Sequence, residues 1–316
     1  MDNACIKWAL NVFYNNGYQI NSAIPMIIQD NPWSIVYRFK TDQGFVFLKK
    51  VPKLLSLEPV IINILFNEFH ANVPFIIAEN QEQNCFLMRD AGIQLYEYFK
   101  KNFEDNILIQ VMKDYAHLQI MASDRINIFL HLGVPDWRLE KLTVLYQDLV
   151  LQENILINNG LNKDDLIKLK KLTPKLSSIC EKLSHYKIKD TFGHADFHDK
   201  NILINTNNGK TTFIDLGEVV ITHPFFSFLN CLHRAKENFS LSNSQYHKLQ
   251  LSCFEPWLAF ETQEHLFQIL ELIKQCWPIH AVLGEFHLIN SVDPSIFQEL
   301  NRKGRLAENL RYWMDQ

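Results

Sequence analysis

Glycine is scarce in this chain, with 10 residues in 316. That excludes collagen-like and glycine-linker architectures. Cysteine is sparse and scattered, at Cys5, Cys85, Cys180, Cys231, Cys253 and Cys276. No two lie at C-x-x-C spacing, so neither a zinc ribbon nor a disulfide scaffold is indicated. They read as small buried apolar residues of a protein in a reducing compartment. A basic excess is also missing, with 31 Lys+Arg against 35 Asp+Glu and a net charge of -4. That argues against a general nucleic-acid binder. No stretch approaches the ~18 uninterrupted apolar residues of a membrane span, so no membrane partner is expected. The opening MDNACIKWALNVFYNNGYQI has no basic start followed by a long apolar run. The expectation is therefore a cytoplasmic protein without a signal peptide.

What is present is a globular composition, 47% hydrophobic, at a length that suits one large or two medium domains. Residues 1–20 can form a short amphipathic helix, with Ile6, Ala9, Leu10 and Phe13 at helical spacing. SIVYRFK, TDQG and FVFLKKV then read as strand, turn and strand. A helical pattern runs from Leu54 to Phe69, and VPFIIAEN and NCFLMRD read as two further strands. After Asp90-Ala91-Gly92 the texture turns helical, over roughly 93–101, 105–122, 137–158 and 162–184. A β-rich island, NILINTNNGKTTFIDLG, has an Asn207-Asn208-Gly209 hairpin tip, and from 224 onward the pattern is helical again.

The chemistry concentrates in GHADFHDKNILI and FIDLGE. A hairpin of 202–204 with 212–214 brings Asn201, entering the first strand, beside Asp215, leaving the second. An amide oxygen and a carboxylate there suit magnesium, a hard cation that prefers oxygen. Asp196, one loop away, can orient a hydroxyl. Those are the groups that phosphoryl transfer needs. FLKK offers two lysines for a phosphate clamp, Lys49 and Lys50, on opposite faces of one strand.

HADFHDKN and IDLGE resemble the H-G-D-x-x-x-x-N and I-D-x-x-E signatures of the aminoglycoside phosphotransferase/choline kinase family. The order of elements agrees across nearly the whole chain. The resemblance implies an α+β, two-lobed protein-kinase-like fold. Residues 1–90 would form a small β-rich nucleotide-binding lobe with a hinge near 87–92, and 91–316 a large, mostly helical catalytic and acceptor-binding lobe. It implies ATP and Mg2+ as cofactors and a small-molecule hydroxyl acceptor as partner. By the same resemblance Asp196 is the catalytic aspartate and His194 braces its loop. Asn201 and Asp215 hold magnesium. Lys49 binds ATP phosphates and pairs with Glu58. Ser34 serves the phosphate-covering loop, which has no G-x-G-x-x-G. Leu87, Met88, Arg89 and Asp90 form the hinge beside adenine.

The sequence departs from the family at two places. Ala195 stands where the family usually has Gly, which is tolerable if the backbone there needs no positive φ. Ser227, in HPFFSFLN, replaces a usual aspartate and keeps a hydrogen bond without a charge. Taken singly, several residues have blander readings. His198 makes a local loop bond, Glu58 complements a helix N-terminus ahead of Pro59, and the tail acids Glu255, Glu261, Glu264, Glu271 and Glu285 form a solvated face. Trp257, Trp277 and Trp313 are available for an aromatic cage around a choline-like amine. The rival functions are a non-catalytic kinase-like binding module and a protein kinase. The first should have lost Lys49, Asp196 or Asp215, and none is lost. The second lacks a D-F-G triplet and an A-P-E segment.

Overall fold

The computed structural model describes residues 3–293 and 302–316. The chain divides into two compact units. One holds the residues up to Tyr98, Lys200–Gly217 and a short segment from Ser291; the other holds Phe99–Asp199, Glu218–Asn290 and the remaining C-terminal residues.

The first unit opens with α1, Asn3–Asn15, whose Ile6, Ala9 and Phe13 are buried. Five antiparallel strands follow: β1 Met26–Asn31, β2 Ser34–Thr41, β3 Gly44–Lys50, β4 Ile76–Asn80 and β5 Cys85–Arg89, in the order β1-β2-β3-β5-β4. Alternation puts Tyr37, Phe39, Val46, Leu48 and Leu87 on the face that α1 covers. The other face is left for the site. Between β3 and β4 lies α2, Glu58–Phe69, which starts with Pro59 in its first turn and ends on His70 in a left-handed conformation, φ 51°. The same unit contains a three-stranded sheet in which β6 (Ile93–Gln94), β8 (Ile202–Ile204) and β9 (Thr211–Phe213) lie in the order β6-β8-β9. Residues 93–94 are thus a strand, not the start of a helix. Their pairing partner, Leu203–Ile204, is more than a hundred positions away and invisible to local periodicity. The helix there, α3, is Leu95–Phe99. Gly92 permits the tight approach: its φ is 128°, and a Cβ there would fall 2.2 Å from the Ile204 carbonyl oxygen.

The second unit is mainly helical, with α4 Asp105–Ser123, α5 Asn127–His131, α6 Leu139–Val150, α7 Glu153–Asn158, α8 Lys163–Lys171, α9 Thr173–Ser184, α10 Phe225–Asn238, α11 Asn243–Phe254, α12 Gln263–Ser291 and a last helix, Arg305–Asp315. Two of the long helical runs are each broken. Pro174, which cannot donate, separates α8 from α9, and α6 stops at Leu151 before α7. The helical expectation for 294–301 lies outside the described residues. Within this unit β7 (Thr191–His194) and β10 (Val219–Thr222) pair antiparallel, His194 opposite Val219. Gln119 of α4 holds β7 twice: its carbonyl accepts from the Thr191 hydroxyl (2.6 Å) and its amide donates to Phe192 O (3.0 Å). Among the described residues no helix is long and apolar enough to cross a membrane.

Candidate functional site

In the first unit the β3 register sends Lys49 and Lys50 to opposite faces. Lys49 is 5% exposed and lines a cavity of about 430 Å³ together with Glu58, Asn201 and Asp215. Lys50 lines a separate recess. The Lys49 Nζ lies 2.8 and 2.7 Å from the two Glu58 carboxylate oxygens and 2.5 Å from Asp215 Oδ1. Burial alone would lower the Lys49 pKa. The charges of Asp215 and then Glu58, with their hydrogen bonds, outweigh it and hold the ammonium well above its ordinary value. Glu58 is 1% exposed, so its place at the α2 N-terminus does more than complement a helix dipole.

The hairpin behaves as its register requires. Ile202 faces Phe213, and Ile214 N donates to Asn201 O at 3.0 Å. Asp215, one residue on, has a φ of 62°, a left-handed conformation for a residue with a side chain. Such a backbone costs about 1–3 kcal/mol and persists where surrounding structure fixes it. Here it turns the carboxylate to Lys49. Asn201 and Asp215 both line this cavity, and their side chains carry one amide and one carboxylate. Hard oxygen donors of that number suit Mg2+, which takes one or two protein carboxylates and completes its shell with water and phosphate. The described residues hold no group of three or more His, Cys, Asp or Glu that forms an all-protein metal cage.

Apolar walls complete the cavity: Val36 and Phe47 from the sheet, Leu203 and Ile214 from the hairpin, with Met88 and Pro74. Met88 and Arg89 of the expected hinge line it. Leu87 is fully buried on the α1 face, and neither it nor Asp90 is among the lining residues. Ser34 lines the recess beside Lys50 instead, and accepts a 2.5 Å hydrogen bond from Gln29 Nε2, whose residue does line the cavity. Gln29 and Arg38 were missed from sequence. β1 carries no clean alternation, and Arg38 reads as an ordinary exposed strand cation until its register is known.

In the second unit the Asp196 loop is built around a fully buried His194. His194 N donates to the Tyr115 hydroxyl of α4 (2.7 Å), and Asp196 N donates to His194 Nδ1 (3.2 Å). Ser227 of α10 donates to His194 O (3.0 Å), the neutral bond expected in place of a charged one. Phe197 stacks on Tyr115 with ring centroids 4.0 Å apart. Ala195 is absent from the positive-φ residues, so its Cβ is accommodated. Burial would raise the Asp196 carboxyl. The hydrogen bond and charge of His198, with His194 and Arg234 behind them, hold it well below the usual carboxylate range.

The tail acids do not form a single solvated face. Glu285 is 7% exposed and pairs with Arg302, and the Glu261 side chain is 8% exposed and pairs with His265. Glu255 pairs with Lys113, Glu271 with Lys274, and Glu264 is exposed. Trp257 packs on Phe225, Trp277 on Phe226 and Trp313 on Tyr146, each in its own aromatic group.

The folds of solved proteins resemble this one closely enough to define its class. An ethanolamine kinase from Plasmodium vivax superposes with a TM-score of 0.61 at 13% identity, over 92% of this chain and 82% of that one. A macrolide 2′-phosphotransferase from Brachybacterium faecium gives 0.60 at 9%, over 95% and 97%. A choline/ethanolamine kinase family protein from Mesorhizobium loti gives 0.54 at 14%, over 93% and 88%. At such identities the likeness is one of fold, and the fold is protein-kinase-like. Residues 134–243, which include Asp196, Asn201 and Asp215, match the phosphotransferase enzyme family. The resemblance read from the motifs is therefore present in both fold and family match. No curated protein sequence matches the chain.

Proposed function

We propose that this protein is an ATP-dependent kinase of a small-molecule hydroxyl compound. The observation that carries the reading is the convergence of Lys49, Glu58, Asn201 and Asp215 on one apolar-walled cavity. The apolar slot suits a nucleobase. Lys49, held in place by Glu58, steadies the α- and β-phosphates. Asn201 and Asp215 would hold Mg2+, which when bound neutralises phosphate oxygens. Asp196 accepts a hydrogen bond from the acceptor hydroxyl and aligns its oxygen. The bond from that oxygen to the γ-phosphorus forms as the bond to the bridging oxygen breaks, leaving ADP, and the hydroxyl proton passes to Asp196. A carboxylate of such low basicity positions more than it abstracts, which fits a loose transition state. The six cysteines are buried thiols outside any disulfide, as a reducing cytoplasm would favour.

Thermal denaturation with and without Mg·ATP tests the nucleotide half of this reading. Mg·ATP should raise the Tm of the wild type, and Asp215→Ala should abolish the rise. A wild type whose Tm is indifferent to Mg·ATP would contradict it.

A further inference from the structure

His198 stands two residues past Asp196 and has so far been given no function. Its ring lies between two carboxylates. Nε2 is 3.2 Å from Asp196 Oδ2, and Nδ1 is 3.4 Å from Asp199 Oδ1. A carboxylate only accepts, so each ring nitrogen must bring a proton to satisfy both. The geometry therefore selects the imidazolium. Asp199, 2% exposed, is itself fixed from the next element: the Asn238 amide at the end of α10 donates to both of its oxygens, at 2.9 and 3.2 Å. Asn238, Asp199, His198 and Asp196 thus form a chain of four groups running from a helix to the reactive carboxylate.

Resting on the kinase reading above, we infer that His198 is a positioning residue: as an imidazolium anchored by Asp199 and Asn238, it holds one oxygen of Asp196 and so fixes the carboxylate that aligns the acceptor. With both nitrogens engaged, His198 has no lone pair with which to act as a base itself. The Asp196 side chain is 43% exposed against 13% for His198, so the anchored ring lies behind a reachable carboxylate. The titratable and charged groups around the pair are Asp199, Asp196 and His194 on the loop and Arg234 from α10; Arg302, ahead of the last helix, also feels Asp196. Cys231 of α10 is a neutral thiol, its pKa driven up by burial with Asp199 adding. For His198, burial would lower the pKa; the hydrogen bonds and charges of Asp196 and Asp199 push it up to about 9.

Two measurements test this, the first of them independently of the kinase reading. The first needs no turnover. The His198 ring, followed by NMR with histidine labelled at its ring carbons, should titrate near pH 9 in the wild type. In Asp199→Asn it should titrate at least tenfold more readily, that is, more than one pH unit lower. Titration of His198 near the ordinary 6.5 in the wild type would overturn the inference, whatever the enzyme does. The second is steady-state ADP release with whichever acceptor supports turnover, or with water as acceptor if none does. His198→Gln, which can donate but carries no charge, should lower kcat about tenfold or more and leave the KM for ATP within twofold. The fall of wild-type kcat above pH 9 should vanish in this variant. Unchanged kcat in His198→Gln, or a KM for ATP that rises as much as kcat falls, would also overturn it. If the wild type shows no nucleotide-dependent turnover, the kinase reading fails and the titration alone decides whether His198 orders Asp196.

Discussion

Replacing Lys49 by Met separates the stability of the buried ion cluster from its chemistry. Methionine fills a volume close to that of the lysine stem, so the main loss is the ammonium. The side chain of Glu58 is only 2% exposed, while that of Asp215 is 39% exposed and keeps water. The cost therefore falls on Glu58. An uncompensated buried carboxylate has one escape, which is to take a proton. From its ordinary 4.5, protonation at pH 7.5 costs about 4 kcal/mol, which caps the destabilisation, and at pH 5 the cap falls to about 0.7 kcal/mol. The sign follows from a folded-state pKa raised above the unfolded one: the penalty is present at pH above 4.5 and disappears below it. Urea unfolding should thus show Lys49→Met weakened by about 3–4 kcal/mol at pH 7.5 and nearly normal at pH 5. Adding Glu58→Gln should restore most of the stability at pH 7.5, since well-packed neutral replacements of a buried pair are often close to neutral. Turnover should not return, because the phosphate contact is gone, and kcat/KM for ATP should stay down about 10²- to 10³-fold. Equal destabilisation at both pH values, or no rescue by Glu58→Gln, would refute the reasoning.

Two further predictions concern the scaffold. Asp190 accepts from Leu139 N at 3.1 Å, yet its other oxygen is buried without a partner. Burial first, then the charges of Asp136 and Glu140, pushes its pKa up to about 6, against the pull of Leu139 N–H and Arg138. Raised from 3.8, it costs about 2–3 kcal/mol above pH 6 and nothing below about pH 3.8. Asp190→Asn, which keeps an acceptor for Leu139, should raise the Tm at pH 7.5, with the gain vanishing by pH 4; an equal gain at both would count against this account. Gly92→Ala should be strongly destabilising, by about 3 kcal/mol or more, since its Cβ meets the Ile204 carbonyl and its φ is 128°. A melt within 2 °C of wild type would show that the strand pair relaxes freely.

Much of the site is legible in the linear sequence because it is carried by local devices. The β2–β3 hairpin fixes Lys49 through alternation and a short turn. The β8–β9 hairpin fixes Asn201 and Asp215 through another. What was not legible depends on partners distant in the chain. Strand β6 exists only by pairing with β8, and β7 only with β10, so neither has a period of its own. The β1–β2 register puts Ser34 on the recess beside Lys50, while Gln29, which donates to its hydroxyl, lines the cavity with Lys49, a placement that no local pattern shows. His198 reads as a loop histidine until Asn238, on a helix 39 positions beyond Asp199, is seen to anchor its second carboxylate.

The most direct test of the central claim is Mg·ATP-dependent ADP release across a panel of aminoglycosides, macrolides, choline, amino alcohols, sugars and nucleosides, with Asp196→Asn assayed in parallel. One compound class should stimulate release from the wild type, and the variant should lose that stimulation. Stimulation that survives unchanged in Asp196→Asn would contradict the role given to this carboxylate. Silence of the wild type across the panel, with no rise in Tm on adding Mg·ATP, would contradict the kinase reading itself.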